Sequence, residues 1–361
     1  MRELGLEVVV DAIGNIFGLR RGLQDAAPVM TGSHIDTVRT GGRYDGNLGV
    51  LGGLEVVQTL NDAGIATQRP LVVAVFTDEE GARFAPDMLG SLVYVGGLDL
   101  QTALDTVSID GKRLGDELAR IGYAGGAPPG VHQPHAYVEL HIEQGPVLDE
   151  EGVTIGAVEN LQGISWQEVA ITGQSNHAGT TPMRLRRDAG YCAAAIGVFL
   201  RRLATELGGN QVCTMGKVDL HPNLVNVIAA RARLTVDLRN TGEPLLQEAE
   251  RRLAGFLEEL ARAEGVTIET RRLARFEPVR FDDGVARVIE SHAARLGHSH
   301  RRMTSGAGHD AQMLARICPA AMVFVPSVKG ISHNPAEHTA PADLAAGANV
   351  LLHTLMELAS Q

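Results

Sequence analysis

Histidines and carboxylates recur in this chain at the points where apolar runs end. His34 and Asp36 close the run that starts at Pro28-Val29-Met30, and beyond Gly41-Gly42 the chain offers Asp45. The run Leu71–Phe76 ends in Thr77-Asp78-Glu79-Glu80-Gly81. The run Ala136–Leu140 ends in His141-Ile142-Glu143-Gln144-Gly145, and Ala321–Val325 leads into Ser332-His333. Imidazole and carboxylate donors without cysteine suit zinc, manganese or a similar divalent ion. Such groups gathered at one place would be costly to desolvate without a cation to neutralise them. There are donors enough for two ions sharing one carboxylate, the pattern of a dinuclear hydrolytic site. Each group alone has a plainer reading, since a single histidine is more often a hydrogen-bonded core or loop residue and Glu79-Glu80 alone reads as a solvated turn.

For these groups to meet, the runs must be strands of one open α/β sheet with their carboxyl ends at a common edge. Two residues apart on a strand, His34 and Asp36 share a side, and the glycine pair lets the backbone bring Asp45 back toward them. The unbroken apolar run Leu71–Phe76 suits a strand buried on both faces. Residues 8–11 and 16–19 around Gly14-Asn15 predict a β-hairpin. Helices are predicted over 48–60, with Leu51, Leu54, Val57 and Leu60 on one face, over 284–296 and 309–317, and from Asp343 onward. From Ser165 the texture changes. A strand at 169–171, a helix over 185–207, strands at 223–228 and 231–239, a helix over 243–264 and a strand at 266–269 give the order of a ferredoxin-like unit. The chain thus reads as α/β, a central mixed sheet with flanking helices over 1–164 and 275–361, carrying an inserted α+β domain over 165–274. The other histidines, among them His132, His292, His298 and His353, read as structural or solvent-exposed.

Bulk properties exclude some functions. Lys and Arg number 32 against 43 Asp and Glu, a net charge of −11, which disfavours nucleic acid and anionic membranes as partners. No apolar stretch is long enough to span a bilayer, and Met1-Arg2-Glu3-Leu4 is no secretion signal. Cys192, Cys213 and Cys318 are odd in number and far apart, so neither a disulfide framework nor a cysteine zinc site is expected, and the cytoplasm is the expected compartment.

Together these motifs resemble the hydantoinase/carbamoylase amidases within the aminoacylase/carboxypeptidase-type dinuclear metallohydrolases. The resemblance covers nearly the whole chain: Gly32-Ser33-His34-Ile35-Asp36-Thr37, Tyr44-Asp45-Gly46, Asp78-Glu79-Glu80-Gly81 and Leu140-His141-Ile142-Glu143-Gln144-Gly145. It continues through Asn176-His177-Ala178-Gly179-Thr180-Thr181-Pro182-Met183, Asn226-Val227-Ile228, Asp237-Leu238-Arg239, Gly306-Ala307-Gly308-His309-Asp310 and Ser332-His333-Asn334-Pro335. It implies two divalent ions per subunit, Zn2+ first with Mn2+, Co2+ or Ni2+ as alternatives. Asp45 would bridge them, Glu80 and His333 would hold one, and His34 and His141 the other. Glu79 would be the general base on the attacking water, and Asp36 would orient His34. His177, Asn226 and Arg239 in the inserted domain would bind substrate, with Gln144 and Gly308 on the catalytic side. His141, where the wider group often has a carboxylate, favours the amidase branch.

The implied reaction is cleavage of the ureido C–N bond of N-carbamoyl-L-amino acids to amino acid, carbon dioxide and ammonia. Allantoate, which also joins a ureido group to a carboxylate, is the alternative, and an aminoacylase or peptidase activity comes third. A non-catalytic binding protein on the same scaffold is disfavoured by the intact ligand set with Glu79. A homodimer through the inserted domain is also expected, because the unit leaves a strand edge that needs covering.

Overall fold

The computed structural model describes residues 1–360. Its strands are, in chain order, β1 (Glu7–Val10), β2 (Ile16–Arg20), β3 (Val29–His34), β4 (Leu71–Phe76), β5 (Ala136–Ile142), β6 (Ile155–Leu161), β7 (Gly163–Thr172), β8 (Val212–His221), β9 (Arg231–Asn240), β10 (Thr267–Phe276), β11 (Val279–Arg280), β12 (His300–Ser305) and β13 (Ala320–Val325). The helices are α1 (Asn47–Asp62), α2 (Leu89–Tyr94), α3 (Leu100–Leu104), α4 (Leu114–Ile121), α5 (Val147–Glu151), α6 (Ala189–Leu207), α7 (Glu243–Glu264), α8 (Asp283–Arg295), α9 (Asp310–Leu314) and α10 (Pro341–Leu358). The chain divides into two compact units, residues 1–161 with 280–361 and residues 162–279.

In the first unit the strands follow the order β1-β2-β4-β3-β5-β13-β6-β11, with β12 also on β6. The central four, β4, β3, β5 and β13, run parallel to one another. Every residue of these four strands is buried, as their near-continuous apolar runs require. Parallel register puts their carboxyl ends at one edge: His34 lies opposite Phe76, and His141 opposite Phe324. That alignment turns four separate motifs into one site.

Helix α1 packs on β3 and β5 by a face that keeps Val57 and Leu60 of the expected stripe but turns Leu51 outward. Leu51 is 63% exposed, while Gly49, Gly52, Gly53, Val56 and Val57 are buried. A Cβ on Gly49 would lie 2.6 Å from the Leu140 carbonyl oxygen and 2.7 Å from Ser33 Cβ. The glycines let the helix approach the sheet more closely than side chains would permit, so the leucine spacing misleads at Leu51. His292, read as structural or solvent-exposed, takes the structural role, buried between α8 and α10 with its Nε2 2.8 Å from a Glu357 carboxylate oxygen.

The second unit is an antiparallel sheet in the order β10-β7-β9-β8. Val169, Ile171, Leu234, Val236 and Leu238 on one face form a common core with Ile196, Leu200 and Leu203 of α6 and Leu253 and Leu257 of α7. β9 alternates as its sequence demands, with Ala232, Leu234, Val236 and Leu238 inward. The strand expected at 223–228 is displaced. The strand is β8, and Pro222, which has no N–H for a ladder, follows its end. Residues 226–228 form a loop that returns to 176–178, with Ala178 N donating to Asn226 O and Ile228 N to Asn176 O, at 3.0 and 2.9 Å. α6 begins at Ala189 rather than near 185, because the Asp188 carboxylate accepts from Gly190 N and Tyr191 N and caps it there. β10 continues to Phe276, well past the expected 269.

Candidate metal centre

His34 is the last residue of β3, His141 the penultimate residue of β5, and Glu79 and Glu80 follow β4 by a few residues. His333 lies on the segment after β13 and Asp45 two residues before α1. Asp45 stands between the others. Its Oδ1 faces His34 Nε2 at 3.6 Å and His141 Nε2 at 3.3 Å. Its Oδ2 faces His333 Nε2 at 3.2 Å, and the same His333 nitrogen is 3.3 Å from Glu80 Oε2. Two trios of donors result, His34/Asp45/His141 and Asp45/Glu80/His333, each close enough to hold a metal ion. Glu79 Oε2 lies 3.4 Å from His34 Nε2. His34, Asp45, Glu79 and His141 are buried, whereas His333 is half exposed.

The imidazoles are oriented for ligation. His34 Nδ1 is 3.0 Å from the Asp36 carbonyl oxygen, and His141 Nδ1 is 2.9 Å from the Ile142 carbonyl oxygen. A ring that donates from Nδ1 to a carbonyl keeps the Nε2 lone pair for a cation. In both rings Nε2 is the atom aimed at Asp45.

The electrostatics call for a cation. Burial disfavours a protonated His34, yet Glu79, Asp45, Asp310 and Asp36 together raise its pKa well above the ordinary value. Burial would raise Asp45, but hydrogen bonds from His141, His333 and His34 hold it well below the usual carboxylate range. Glu79 is pushed well above that range by burial, with His34 opposing and Asp310, Glu80 and Glu139 reinforcing. Without a metal these groups must share protons, which is what a divalent ion replaces. Glu80 Oε1 and Gln144 Oε1 are buried without a hydrogen-bond partner, so the donor set has capacity for such an ion.

Asp36 does something its spacing did not announce. Its carboxylate is 3.6 Å from His34 Nδ1, while Oδ1 and Oδ2 accept from the backbone N–H groups of Glu79 and Glu80 at 3.2 and 3.1 Å. It therefore ties the end of β3 to the loop that carries both glutamates. Gln144 Nε2 donates to Asp45 Oδ2 at 3.0 Å. Gly308 shares a cavity of about 160 Å³ with Asp45, Glu79, Glu80, Asp87, Met88, Gln144, His309 and His333. His177, Asn226 and Arg239 belong to the second unit. There His177 forms an isolated backbone bridge with Val227, next to Asn226. Arg239, on the face of β9 away from the helices, holds the Asp237 carboxylate through Nε and Nη2 at 3.0 and 2.9 Å.

Other buried groups went unnoticed in the sequence. Glu337 Oε1 accepts from the N–H groups of Tyr44 and Asp45 at 3.0 and 3.2 Å, and its Oε2 from Ser332 Oγ at 2.8 Å, so it fixes the Asp45 turn to the His333 segment. Glu139 is fully buried and accepts from Ser33 Oγ, Tyr137 Oη and Ala311 N. Burial, and then His141, drive the pKa of His309 well below its ordinary value. Asp310 is pushed up to about 8 by burial and by Glu139. One signal was available: Tyr137, Glu139 and His141 alternate along a strand otherwise made of apolar residues, so they share a face.

Fold and site define a hydrolase whose His, Asp and Glu groups could bind metal ions, and the chain belongs to peptidase family M20/M25/M40, whose description matches residues 30–357. Within that family it falls among the amidases. It is 42% identical over 358 residues to the N-carbamoyl-L-amino-acid amidohydrolase of Rhizobium meliloti, covering 99% of this chain and 86% of that one. The crystal structure of an amidase of the hydantoinase/carbamoylase family from Burkholderia multivorans superposes with a TM-score of 0.98 at 45% identity, covering 100% of this chain and 88% of that one. The allantoate amidohydrolase of Bacillus subtilis is 34% identical over 362 residues, 99% of this chain and 88% of that one. The chain is thus a hydrolase of carbon–nitrogen bonds in linear amides. No helix among the described residues is long and apolar enough to cross a membrane.

Proposed function

We propose that the protein hydrolyses the ureido C–N bond of N-carbamoyl-L-amino acids, using two divalent ions per subunit. The observation that carries this reading is Asp45, whose two oxygens address separate trios of donors beside a buried Glu79. His34 and His141 would hold one ion and Glu80 and His333 the other, with Asp45 a donor to each. Zinc is the first choice for this nitrogen and oxygen set, with manganese, cobalt or nickel as substitutes. When bound, such ions polarise the carbonyl and lower the pKa of water to near neutrality.

Glu79 takes the proton from the attacking water as its oxygen bonds to the ureido carbon. The C–N bond to the amino acid then breaks, and Glu79 returns the proton to the departing nitrogen. The carbamic acid released decomposes to carbon dioxide and ammonia. Arg239, in the second unit, receives the substrate carboxylate, and Asn226 and His177 of the same unit also bind substrate. The same unit joins two copies into a homodimer, and the enzyme works in the cytoplasm on a small molecule.

Release of ammonia from N-carbamoyl-L-amino acids and allantoate, and of free amino acid from N-acetyl amino acids, measured with metal-loaded protein, tests the assignment. Preference for N-carbamoyl-L-amino acids supports it. A preference for allantoate establishes the second reading, which the Bacillus subtilis relative favours, and activity on the N-acetyl compounds alone overturns both.

A further inference from the structure

The turn Asp11–Asn15 between β1 and β2 reads in the sequence as nothing more than a hairpin. In the structure it reaches the loop that carries the glutamates of the metal centre. Asn15 and Asp11 are both fully buried. Asp11 Oδ1 accepts from Ile13 N and Asn15 N at 3.1 and 2.9 Å, and its Oδ2 accepts from Asn15 Nδ2 at 2.9 Å. That last bond settles which way the Asn15 amide faces. Nδ2 donates also to Gly90 O at 3.0 Å, and Oδ1 accepts from Thr77 N at 2.9 Å.

Thr77 is the residue at which the chain leaves β4 for Glu79 and Glu80. From there the loop runs alongside the start of α2, with Gly90 N donating to Thr77 O, Leu89 N to Asp78 O and Met88 N to Glu79 O at 2.8, 3.2 and 2.7 Å. Asn15 closes the end of this ladder by bonding both of its sides. The fit is tight: a Cβ on Gly90 would lie 2.3 Å from Asn15 Oδ1 and 2.5 Å from Thr77 N. Asp36 holds the other end of the segment at the N–H groups of Glu79 and Glu80.

We propose that Asn15, oriented by Asp11, is a positioning residue that fixes the Thr77–Glu79 backbone and thereby the placement of the Glu79 carboxyl. It touches neither substrate nor metal ligand, and the inference rests on Glu79 acting as the base. Catalytic geometry is steep in distance, a 1 Å misplacement costing on the order of 100-fold. Loss of the Asn15 bonds therefore shows as a fall in kcat.

The test compares Asn15→Asp, the exchange variant Asp11→Asn/Asn15→Asp, and Phe17→Leu as a packing control in the same hairpin. In Asn15→Asp an oxygen meets the Asp11 carboxylate and Gly90 O, so the amide arrangement is broken. In the exchange variant residue 11 donates to residue 15, which removes the clash of two carboxylates, while an oxygen of residue 15 still faces Gly90 O. Expected for Asn15→Asp is a kcat at least about tenfold lower with KM within about threefold, together with faster hydrogen exchange at Thr77–Glu80 in metal-free protein. The exchange variant should recover part of both, and Phe17→Leu, though less stable, should keep kcat and the exchange protection of that loop.

An Asn15→Asp variant with kcat within twofold of the parent overturns the proposal, as does unchanged loop exchange. An exchange variant no better than Asn15→Asp, or equal loss of kcat in Phe17→Leu, also overturns it by reducing the effect to stability. If the parent protein releases ammonia from no ureido compound, the functional reading fails instead, and the hydrogen-exchange comparison still decides whether Asn15 holds the loop.

Discussion

Replacing Glu79 by glutamine should lower activity and raise the stability of the metal-free protein at the same time. The substitution keeps the shape of a side chain that is 6% exposed and packed 3.4 Å from His34 Nε2, but glutamine cannot accept a proton. General-base roles contribute about 10²–10⁴-fold, which at about 1.4 kcal/mol per tenfold is roughly 3–5 kcal/mol of barrier. The stability effect has the opposite sign. Burial raises the pKa of Glu79 well above its ordinary value, so its contribution to stability is complete only below its unfolded pKa, about 4.3, and is lost as pH rises. At pH 7 the metal-free Glu79→Gln protein is relieved of that loss and should unfold at a higher temperature than the parent. The assay pairs ammonia release at saturating substrate with elemental analysis of bound metal and thermal unfolding of chelated protein. A kcat within tenfold of the parent refutes the role of Glu79. Loss of metal in proportion to activity would mean that Glu79 is a ligand and that its role and that of Glu80 are exchanged.

Chelation should abolish turnover, and zinc, manganese, cobalt or nickel should restore it; metal at 100 times its Kd should also stabilise the fold by about 2.7 kcal/mol, and full activity in protein shown to be metal-free would refute the dependence. Arg239→Lys should lower kcat/KM for N-carbamoyl amino acids by at least about tenfold, roughly 1.4 kcal/mol, because an ammonium cannot hold a carboxylate through two parallel bonds; Arg231→Lys and Arg233→Lys should be near neutral, and equal effects in all three would rule out a special role for Arg239. Sedimentation at assay concentration should find a dimer, and a fully active monomer counts against it. Burial lowers the pKa of His292, so its contribution to stability is complete above about pH 6.5 and is lost as pH falls through the lowered value; His292→Gln should flatten that acid limb in urea titrations, and an unchanged slope would refute the assignment.

The parts of this molecule most legible in the sequence were those where one physical demand dominates. β3, β4, β5 and β13 are buried on both faces, so their apolar runs and polar ends could be read directly, and parallel pairing then required those ends to meet. The second unit was harder, because β8 is an edge strand whose residues are almost all half-buried or exposed. Its alternation carries little apolar signal, and the more apolar Leu224, Val225, Val227 and Ile228 drew the strand to a loop instead. The buried face of α1 was only partly legible, Val57 and Leu60 but not the glycines, because glycines carry no hydrophobic signature and make its closest contacts. Within the site, the charged side chains were apparent but their partners were not. The family resemblance implied that Asp36 orients His34, whereas most of its hydrogen bonding goes to backbone N–H groups 43 and 44 residues away.

The glycine-lined underside of α1 gives the centre an assembly tolerance. Asp45 is joined to that helix by a single intervening residue, and Asn47 N and Leu48 N donate to the carbonyls of Asp45 and Tyr44 at 2.7 and 3.0 Å. The depth at which α1 seats on β3 and β5 therefore sets where the shared carboxylate stands. Ligand distances in metal sites hold to within about 0.2 Å, and one methyl group at Gly49, aimed at the Leu140 carbonyl and Ser33, demands a larger shift than that. Gly49 thus acts as a mechanical stop: a change there alters no ligand, yet it would be felt as poorer chelation, a packing fault registering as a change in metal affinity.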